Sequence, residues 1–304
     1  VQEIEIRTAD GAVLSASVVE PPSGVALEGT CVMAHALFAR KSEFGGPGRP
    51  GLAAAFARRG WRCVAFDFRG HGRSKPPPNQ LDWSYDDLVR FDLPAVVEGA
   101  RARAEGKPVL VLGHSLGGHV ALASQGAKRL GADALIVVSC NIWIRSLEPS
   151  RLRWASKWAT VLAMRGMVSR FGRVPARRLR IGSDDASAQC TRDLARFVQT
   201  NTWESEDRRD NYWTGLASVQ VPVVAVASEG DRWICHPDSA EQFVSRCGGR
   251  VRVIRIAEGA RGRPAPGHMH VVTKSHFHDA LVQALDWVAT QAQCLNGRPA
   301  EPRL

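Results

Sequence analysis

The chain has 304 residues, 44% of them hydrophobic and 23% charged, with a formal net charge of +10. That length suits one large α/β domain or a domain with an insertion, and the composition is that of a globular protein rather than a disordered one. Only six of the forty basic residues are lysine, and no zinc-finger spacing, basic-region heptad or aromatic RNA-binding signature accompanies the arginines, which argues against nucleic acid as a partner.

Seven cysteines, at 31, 63, 140, 190, 235, 247 and 294, are scattered without Cys-x-x-Cys spacing. Cys31, Cys63 and Cys140 fall in apolar runs, where the thiol serves as a small hydrophobe, so a reducing, cytoplasmic setting is expected. The first residues lack a basic and an apolar signal region, and no run of 18 apolar residues occurs, so stable membrane insertion is not expected.

In chain order, Glu3 to Arg7 and Val13 to Val19 alternate around the turn pair Asp10-Gly11, which predicts an antiparallel hairpin. Thr30 to Ala36 reads as a buried strand running into His35-Ala36-Leu37-Phe38 and a Gly/Pro loop. Leu52 to Arg59 then reads as a helix stopped by Gly60. Cys63 to Phe68 is the next strand, followed by Arg69-Gly70-His71-Gly72-Arg73-Ser74, and Asp92 reads as the N-cap of the next helix. Val109 to Leu112 is a short apolar run suited to a strand buried on both faces. A helix to about Leu130 and a strand from Ala134 to Cys140 continue the alternation of parallel βαβ units.

From Asn141 to about Leu216 no strand-like run occurs. Between Arg145 and Arg180 ten basic residues and one acidic residue interleave with Trp154, Trp158, Leu162 and Met167, which predicts an inserted helical cap. The expected division is therefore core 1–140, cap 141–217 and core 218–304. Val221 to Ser228 resumes the sheet, Asp238 with Glu241 reads as a capping box, Val251 to Ile256 is a more exposed strand, and a helix starts near Ser275. The last twelve residues read as a frayed tail.

Residues 113–117 spell Gly-His-Ser-Leu-Gly. Gly-x-Ser-x-Gly after a buried strand lets the chain reverse into a helix within about one residue, which exposes Ser115 Oγ and aims the Leu116 N–H at any oxyanion formed there. A serine nucleophile needs a base and an acid that orients it. Asp231, after the strand ending at Ser228, is the candidate acid, with Glu229 as competitor. His268, in the loop after the last strand, is the candidate base, with His270 as competitor. Leu37 N–H is the candidate second oxyanion donor. Arg69 and His71 are expected to fix loops, and His114 and His119 point by spacing into helix or core positions. His35, Phe38, His114, Trp143, Trp154, Trp158 and Trp233 are candidates for contact with substrate.

These motifs resemble the α/β-hydrolase superfamily across nearly the whole chain, and within it bacterial serine hydrolases with a helical cap. The resemblance implies a mostly parallel sheet flanked by helices, a Ser-Asp-His triad on Ser115, Asp231 and His268, and cleavage of carboxylic esters or related acyl compounds through an acyl-enzyme. It implies no metal and no organic cofactor, and as partner a small acyl substrate with an apolar part; oligomeric state is left open. Ser115 excludes the aspartate-nucleophile relatives. Thioester, lactone and amide hydrolysis and perhydrolysis share the same triad. One departure is Ala36, where the family's oxyanion loop usually has glycine. Its methyl narrows the backbone's freedom, which predicts a tighter or displaced oxyanion hole and is the feature that favours a non-catalytic protein binding a small hydrophobic ligand.

Overall fold

The apolar and β-branched runs form eight strands of one sheet: β1 (Gln2–Arg7), β2 (Val13–Val19), β3 (Gly29–Ala34), β4 (Trp61–Phe66), β5 (Val109–His114), β6 (Ala134–Val138), β7 (Val223–Ser228) and β8 (Val251–Ile256). They lie in the order β1-β2-β4-β3-β5-β6-β7-β8. The β1–β2 hairpin and the β2–β4 pair are antiparallel, and every pairing from β4 to β8 is parallel. The computed structural model describes residues 1–295 apart from Pro47, Leu81, Ala260 and Arg261; of the expected tail, residues 293–295 continue the last helix and the other nine lie outside the described residues.

Parallel strands require crossover helices on both faces. On one face α1 (Leu52–Ala57) and α7 (His278–Leu295) cover Met33, Leu110, Leu112, Ile136 and Val224; on the other α2 (Leu93–Arg101) and α3 (Leu116–Gly126) cover Val32, Val111, Leu135 and Val223. Every residue of β5 is buried. Each methylene removed from water in these two layers contributes about 0.8 kcal/mol.

The helix leading into α2 starts earlier than Asp92. Ser84 caps it in a capping box with Asp87, and the chain then passes through a π-helical turn at Leu88–Asp92. Asp92 is no cap: it is fully buried and accepts from Arg69 N at 3.0 Å and Arg69 Nε at 2.8 Å. Burial pushes its carboxyl up to about 6 against the pull of the Arg69 guanidinium, which Asp10 also binds. Arg69 thus ties β4's exit loop to the β1–β2 turn.

The expected Asp238–Glu241 box is also replaced. His236 caps α6 (Pro237–Val244) with Pro237 at its first position, and Asp238 and Glu241 both pair with Arg255. β4 ends at Phe66 rather than Phe68, which leaves Asp67 in the loop, where its carboxylate accepts from Lys41 N at 2.7 Å.

Between β6 and β7 the chain is helical. A 21-residue helix, α4 (Arg151–Phe171), packs against α5 (Ala188–Thr200) through Val161, Ala195 and Val198, and a two-residue ladder pairs Arg173–Val174 with Ala186–Ser187. Ser150 and Ser187 cap the two helices. Arg40 joins this segment to the core through a bidentate ion pair with Asp184, and Asp184 also accepts from Gly72 N at 2.8 Å.

Candidate active site

Ser115 sits between β5 and α3 with φ 51° and ψ −111°, a backbone region that costs a non-glycine residue of order 1–3 kcal/mol. Two packing contacts enforce it. A Cβ at Gly113 would lie 2.4 Å from Gly117 O, and one at Gly117 would lie 2.2 Å from Ala34 O, so the chain folds back on itself with β3 only a backbone's width away. Ser115 N donates to Val138 O at 2.9 Å and Gly117 N to His35 O at 3.2 Å. The nucleophile candidate is therefore pinned from β6 on one side and from the oxyanion loop on the other.

His268 Nδ1 lies 2.5 Å from Asp231 Oδ2. Since the carboxylate accepts, Nδ1 donates and Nε2 keeps the lone pair a general base needs. Asp231, 3% exposed, is held in turn: its backbone N donates to Ser228 O and its Oδ1 accepts from Cys235 N. Ser228 Oγ donates to Pro266 O at 2.6 Å, binding the acid's strand to the histidine's loop. Glu229 faces Arg255 instead, and His270 is exposed at the start of a short helix. Ser115 and His268 line one cavity of about 290 Å³. No hydrogen bond joins their side chains in the described structure, an arrangement common before substrate tightens such a pair.

The candidate oxyanion loop follows β3. Leu37 and Leu116 both line the cavity, and neither N–H donates to a described acceptor. The loop's positive φ, 63°, falls on Phe38 and not on Ala36, so the methyl of Ala36 needs no left-handed backbone. Ala36 N is instead anchored by Glu43 Oε1 at 3.2 Å.

Glu43 is a residue that sequence reasoning missed. Its Oε1 also faces His114 Nδ1 at 3.1 Å, and His114 Nε2 faces His268 O at 3.2 Å. Both ring nitrogens of His114 thus address acceptors, which only the imidazolium satisfies. Burial pushes this ring down, but the Glu43 carboxylate, the His268 carbonyl and Asp231 together outweigh it and raise the value above the ordinary one. The pair links the loop after β3 to the loop of His268 beneath Ser115. The nearest sequence signal is Glu43 four residues before Pro47 in a loop, which says nothing of a partner 71 residues away.

His35 is buried under the loop, not in the cavity. Phe68 N donates to its Nε2 at 3.0 Å, so its Nδ1–H goes to Ala36 O at 2.8 Å, and burial lowers its proton affinity. His71 beside it donates from Nδ1 to Arg69 O and is pushed down to about 4 by burial and by His35. Of the substrate-contact candidates, Phe38, Trp143 and Trp233 line the cavity; His35, His114, Trp154 and Trp158 do not. Trp154 and Trp158 lie on the flank of α4's inner face and pack with Val161, Ala195 and Val198. Thr160, Val161 and Met164 hold the face itself. Leu162 is 54% exposed, and Met167, which is not among the lining residues, packs with Val168 and Val174 in a cluster that Phe38 and Met164 also join. Trp143 and Trp233 meet edge to face, with Trp143 Nε1 donating to Ile234 O at 2.9 Å and Trp233 Nε1 to Ser156 Oγ at 2.7 Å. They clamp the acid's loop to the helical segment.

Residues 49–261, more than half of the chain, match the hydrolase family described as serine aminopeptidase, S33. The chain belongs to this family. The matched stretch includes Ser115 and Asp231 and stops short of His268. Two curated relatives share a shorter stretch: lysophosphatidylserine lipase ABHD12 of Xenopus tropicalis is 36% identical over 77 residues, 25% of this chain and 18% of that protein, and its counterpart in Gallus gallus is 38% identical over 77 residues, 25% and 19%. The match thus spans under a fifth of either lipase. Among solved structures, the esterase EaEST from Exiguobacterium antarcticum superposes with a TM-score of 0.62 at 19% identity over 94% of this chain and all of that one. A monoacylglycerol lipase from Paleococcus ferrophilus gives 0.59 at 14% over 91% and 99%. These likenesses show an α/β-hydrolase fold. Among the described residues no helix is long and apolar enough to cross a membrane, and no cluster of three or more His, Cys, Asp or Glu is arranged to hold a metal.

Proposed function

We propose that this hydrolase-family member cleaves carboxylic esters by acyl transfer through Ser115. The observation that carries the reading is the 2.5 Å contact of His268 Nδ1 with buried Asp231, on the wall of a cavity that also exposes a serine in a strained strand-to-helix turn. Ser115 Oγ attacks the acyl carbon while its proton passes to His268 Nε2, and Asp231 balances the imidazolium so formed. The Leu37 and Leu116 N–H groups receive the oxyanion, each such donor contributing about 3–4 kcal/mol in serine hydrolases. Collapse returns the proton from His268 to the departing alcohol and leaves the acyl group on Ser115; water, deprotonated by His268, then releases the acid and restores the serine.

The cavity lining favours acyl substrates over peptides. An aminopeptidase must bind an α-ammonium, and no carboxylate stands among the described lining residues. Phe38, Leu37, Ile142, Trp143, Val161 and Met164 instead offer an apolar wall. Thioesters and lactones present the same acyl carbon and are further candidates. The test is labelling with a fluorophosphonate alongside p-nitrophenyl ester hydrolysis: both are expected in the parent and neither in Ser115→Ala. Undiminished hydrolysis in that variant would overturn the reading.

A further inference from the structure

Away from Ser115 and His268, the polar groups of the lining are bonded to neighbours in the fold except at two side chains. His119 and Asn141 both line it and are 7% and 8% exposed. His119 lies one turn into α3 from the turn that holds Ser115, and both side chains line the same cavity. Its Nδ1 lies 3.1 Å from Tyr85 Oη, and Tyr85 Oη also accepts Trp203 Nε1–H at 3.3 Å. Tyr85 is fully buried, and among the described residues His119 Nδ1 is the acceptor for its hydroxyl proton. The relay from Trp203 through Tyr85 therefore makes Nδ1 an acceptor. Burial pushes the ring down to about 3, so it is neutral and carries its own proton on Nε2. With the Nδ1 edge turned to Tyr85, the Nε2–H edge is left to the cavity.

Asn141 stands beside it. A Cβ on Gly118, next to His119, would lie 2.7 Å from Cys140 Sγ, so the helix rests directly on the residue preceding Asn141. The Asn141 carboxamide has no hydrogen-bond partner among the described residues. The two lining threonines differ: Thr160 Oγ1 donates to Ser156 O and Thr191 Oγ1 to Ser187 O, each within its own helix segment. No arginine, lysine or carboxylate lines the cavity among the described residues.

Resting on the reading of Ser115 as nucleophile, we propose that His119 Nε2–H and the Asn141 carboxamide form a neutral polar subsite. It takes an uncharged oxygen, a ketone carbonyl or a hydroxyl, carried on an otherwise apolar acyl chain a few bonds beyond the scissile carbonyl. A plain alkyl chain leaves both groups unpaired in an apolar wall, which disfavours it. A carboxylate finds no counter-charge there and keeps its full desolvation cost. The preferred order is thus oxo or hydroxy chain, then alkyl chain, then carboxylate chain.

The test compares p-nitrophenyl pentanoate, 4-oxopentanoate and 3-carboxypropanoate, with a parallel calorimetric measurement of ethyl pentanoate and ethyl 4-oxopentanoate binding to Ser115→Ala. The parent is expected to favour the 4-oxo ester over the pentanoate at least about tenfold in kcat/KM and to take the carboxylate ester least. His119→Phe brings the ratio near one. Tyr85→Phe, which frees the tautomer, and Asn141→Leu each lower it, while His119→Gln, which keeps a donor, retains part of it. Binding to Ser115→Ala follows the same order. Equal kcat/KM for pentanoate and 4-oxopentanoate in the parent, or an undiminished ratio in both His119→Phe and Asn141→Leu, overturns the subsite. A parent that hydrolyses none of the esters while Ser115→Ala still prefers the 4-oxo ester removes the catalytic reading and keeps the subsite.

Discussion

Beneath the cavity, Ser115 and Asp231 stand at the ends of β5 and β7, held by main-chain hydrogen bonds and by contacts that admit only glycine, and His268, in the loop after β8, is held by the Asp231 carboxylate and by His114 on its carbonyl. Above it, α4 and α5 rest mainly on side chains: Val161 against Ala195 and Val198, the Trp143–Trp233 pair, and the Glu148–Lys157 ion pair, each partner 1% exposed. Main-chain bonds from this segment reach the core at Ser183 N and Cys190 N. The first region places atoms to within a hydrogen bond because a shifted backbone breaks the sheet. The second places surfaces, because apolar packing tolerates exchange of one side chain for another of similar volume. Chemistry is thus expected to fail sharply on single changes below the cavity, and selectivity to drift gradually on changes above it.

The sharpest break of that contrast is at Ser115. Ser115→Ala is expected to lower kcat by at least about a thousandfold without loss of fold by circular dichroism. Ser115→Gly, equally inactive, should be more stable in urea by about 1 kcal/mol, since glycine accepts the positive φ. A Ser115→Gly protein less stable than the parent would show that the turn carries no strain.

Next in size is Glu43→Gln. The amide offers no charge to hold His114 as imidazolium, so either the link to the oxyanion loop or the link to His268 O is given up. A fall in kcat of about 10- to 100-fold with KM nearly unchanged is expected. The parent's advantage over the variant should also depend on pH. His114 has a raised proton affinity in the folded state, so its contribution is complete below the unfolded value of about 6.5 and is lost as pH rises through the raised folded value. An advantage that grows from pH 6 to 9 would contradict the assignment.

His35, His71 and His119 act in the opposite sense. All three are pushed down by burial, His71 to about 4 and His119 to about 3. Below about pH 6.5 the unfolded chain takes up protons the folded chain refuses, so stability falls with acid by up to about 1.4 kcal/mol per pH unit for each ring. His119→Phe is expected to flatten the slope of urea-unfolding free energy between pH 4 and 6 by the share of one ring. An unchanged slope would show that His119 is protonated in the folded state.

The smallest effects belong above the cavity. In the parent, two added acyl carbons should raise kcat/KM about tenfold until the cavity fills. Trp143→Ala removes a wall and flattens that gain. Trp158→Ala leaves the gain in place and costs about 1–3 kcal/mol of stability, read from denaturant midpoints. A gain that vanishes in Trp158→Ala and persists in Trp143→Ala would reverse the assignment of the two tryptophans.

What was legible in the sequence follows the same division. Gly-x-Ser-x-Gly is readable because backbone crowding dictates residue types at fixed spacing, and the strand-then-loop positions of Asp231 and His268 follow from the alternation of parallel units. Asp92 reads as a cap because aspartate suits both an N-cap and an arginine partner, and only the fold brings Arg69 to it. Glu43 was invisible since its partners, Ala36 N and His114, meet it through tertiary packing. The phase of α4 was illegible for a different reason. Its apolar residues run all round the helix, with Leu152 82% and Leu162 54% exposed, so periodicity does not say that Thr160 and Met164 rather than Trp154 and Trp158 meet the cavity.

The central claim is that turnover passes through an acyl group on Ser115, and rapid mixing of the parent with p-nitrophenyl butyrate tests it most directly. The account predicts a burst of up to one nitrophenolate per chain where deacylation is slower than acylation, and a quenched protein heavier by one butyryl group on the peptide that contains Ser115. Sustained hydrolysis with the butyryl group on another residue, or persisting at parental rate in Ser115→Ala, would contradict it.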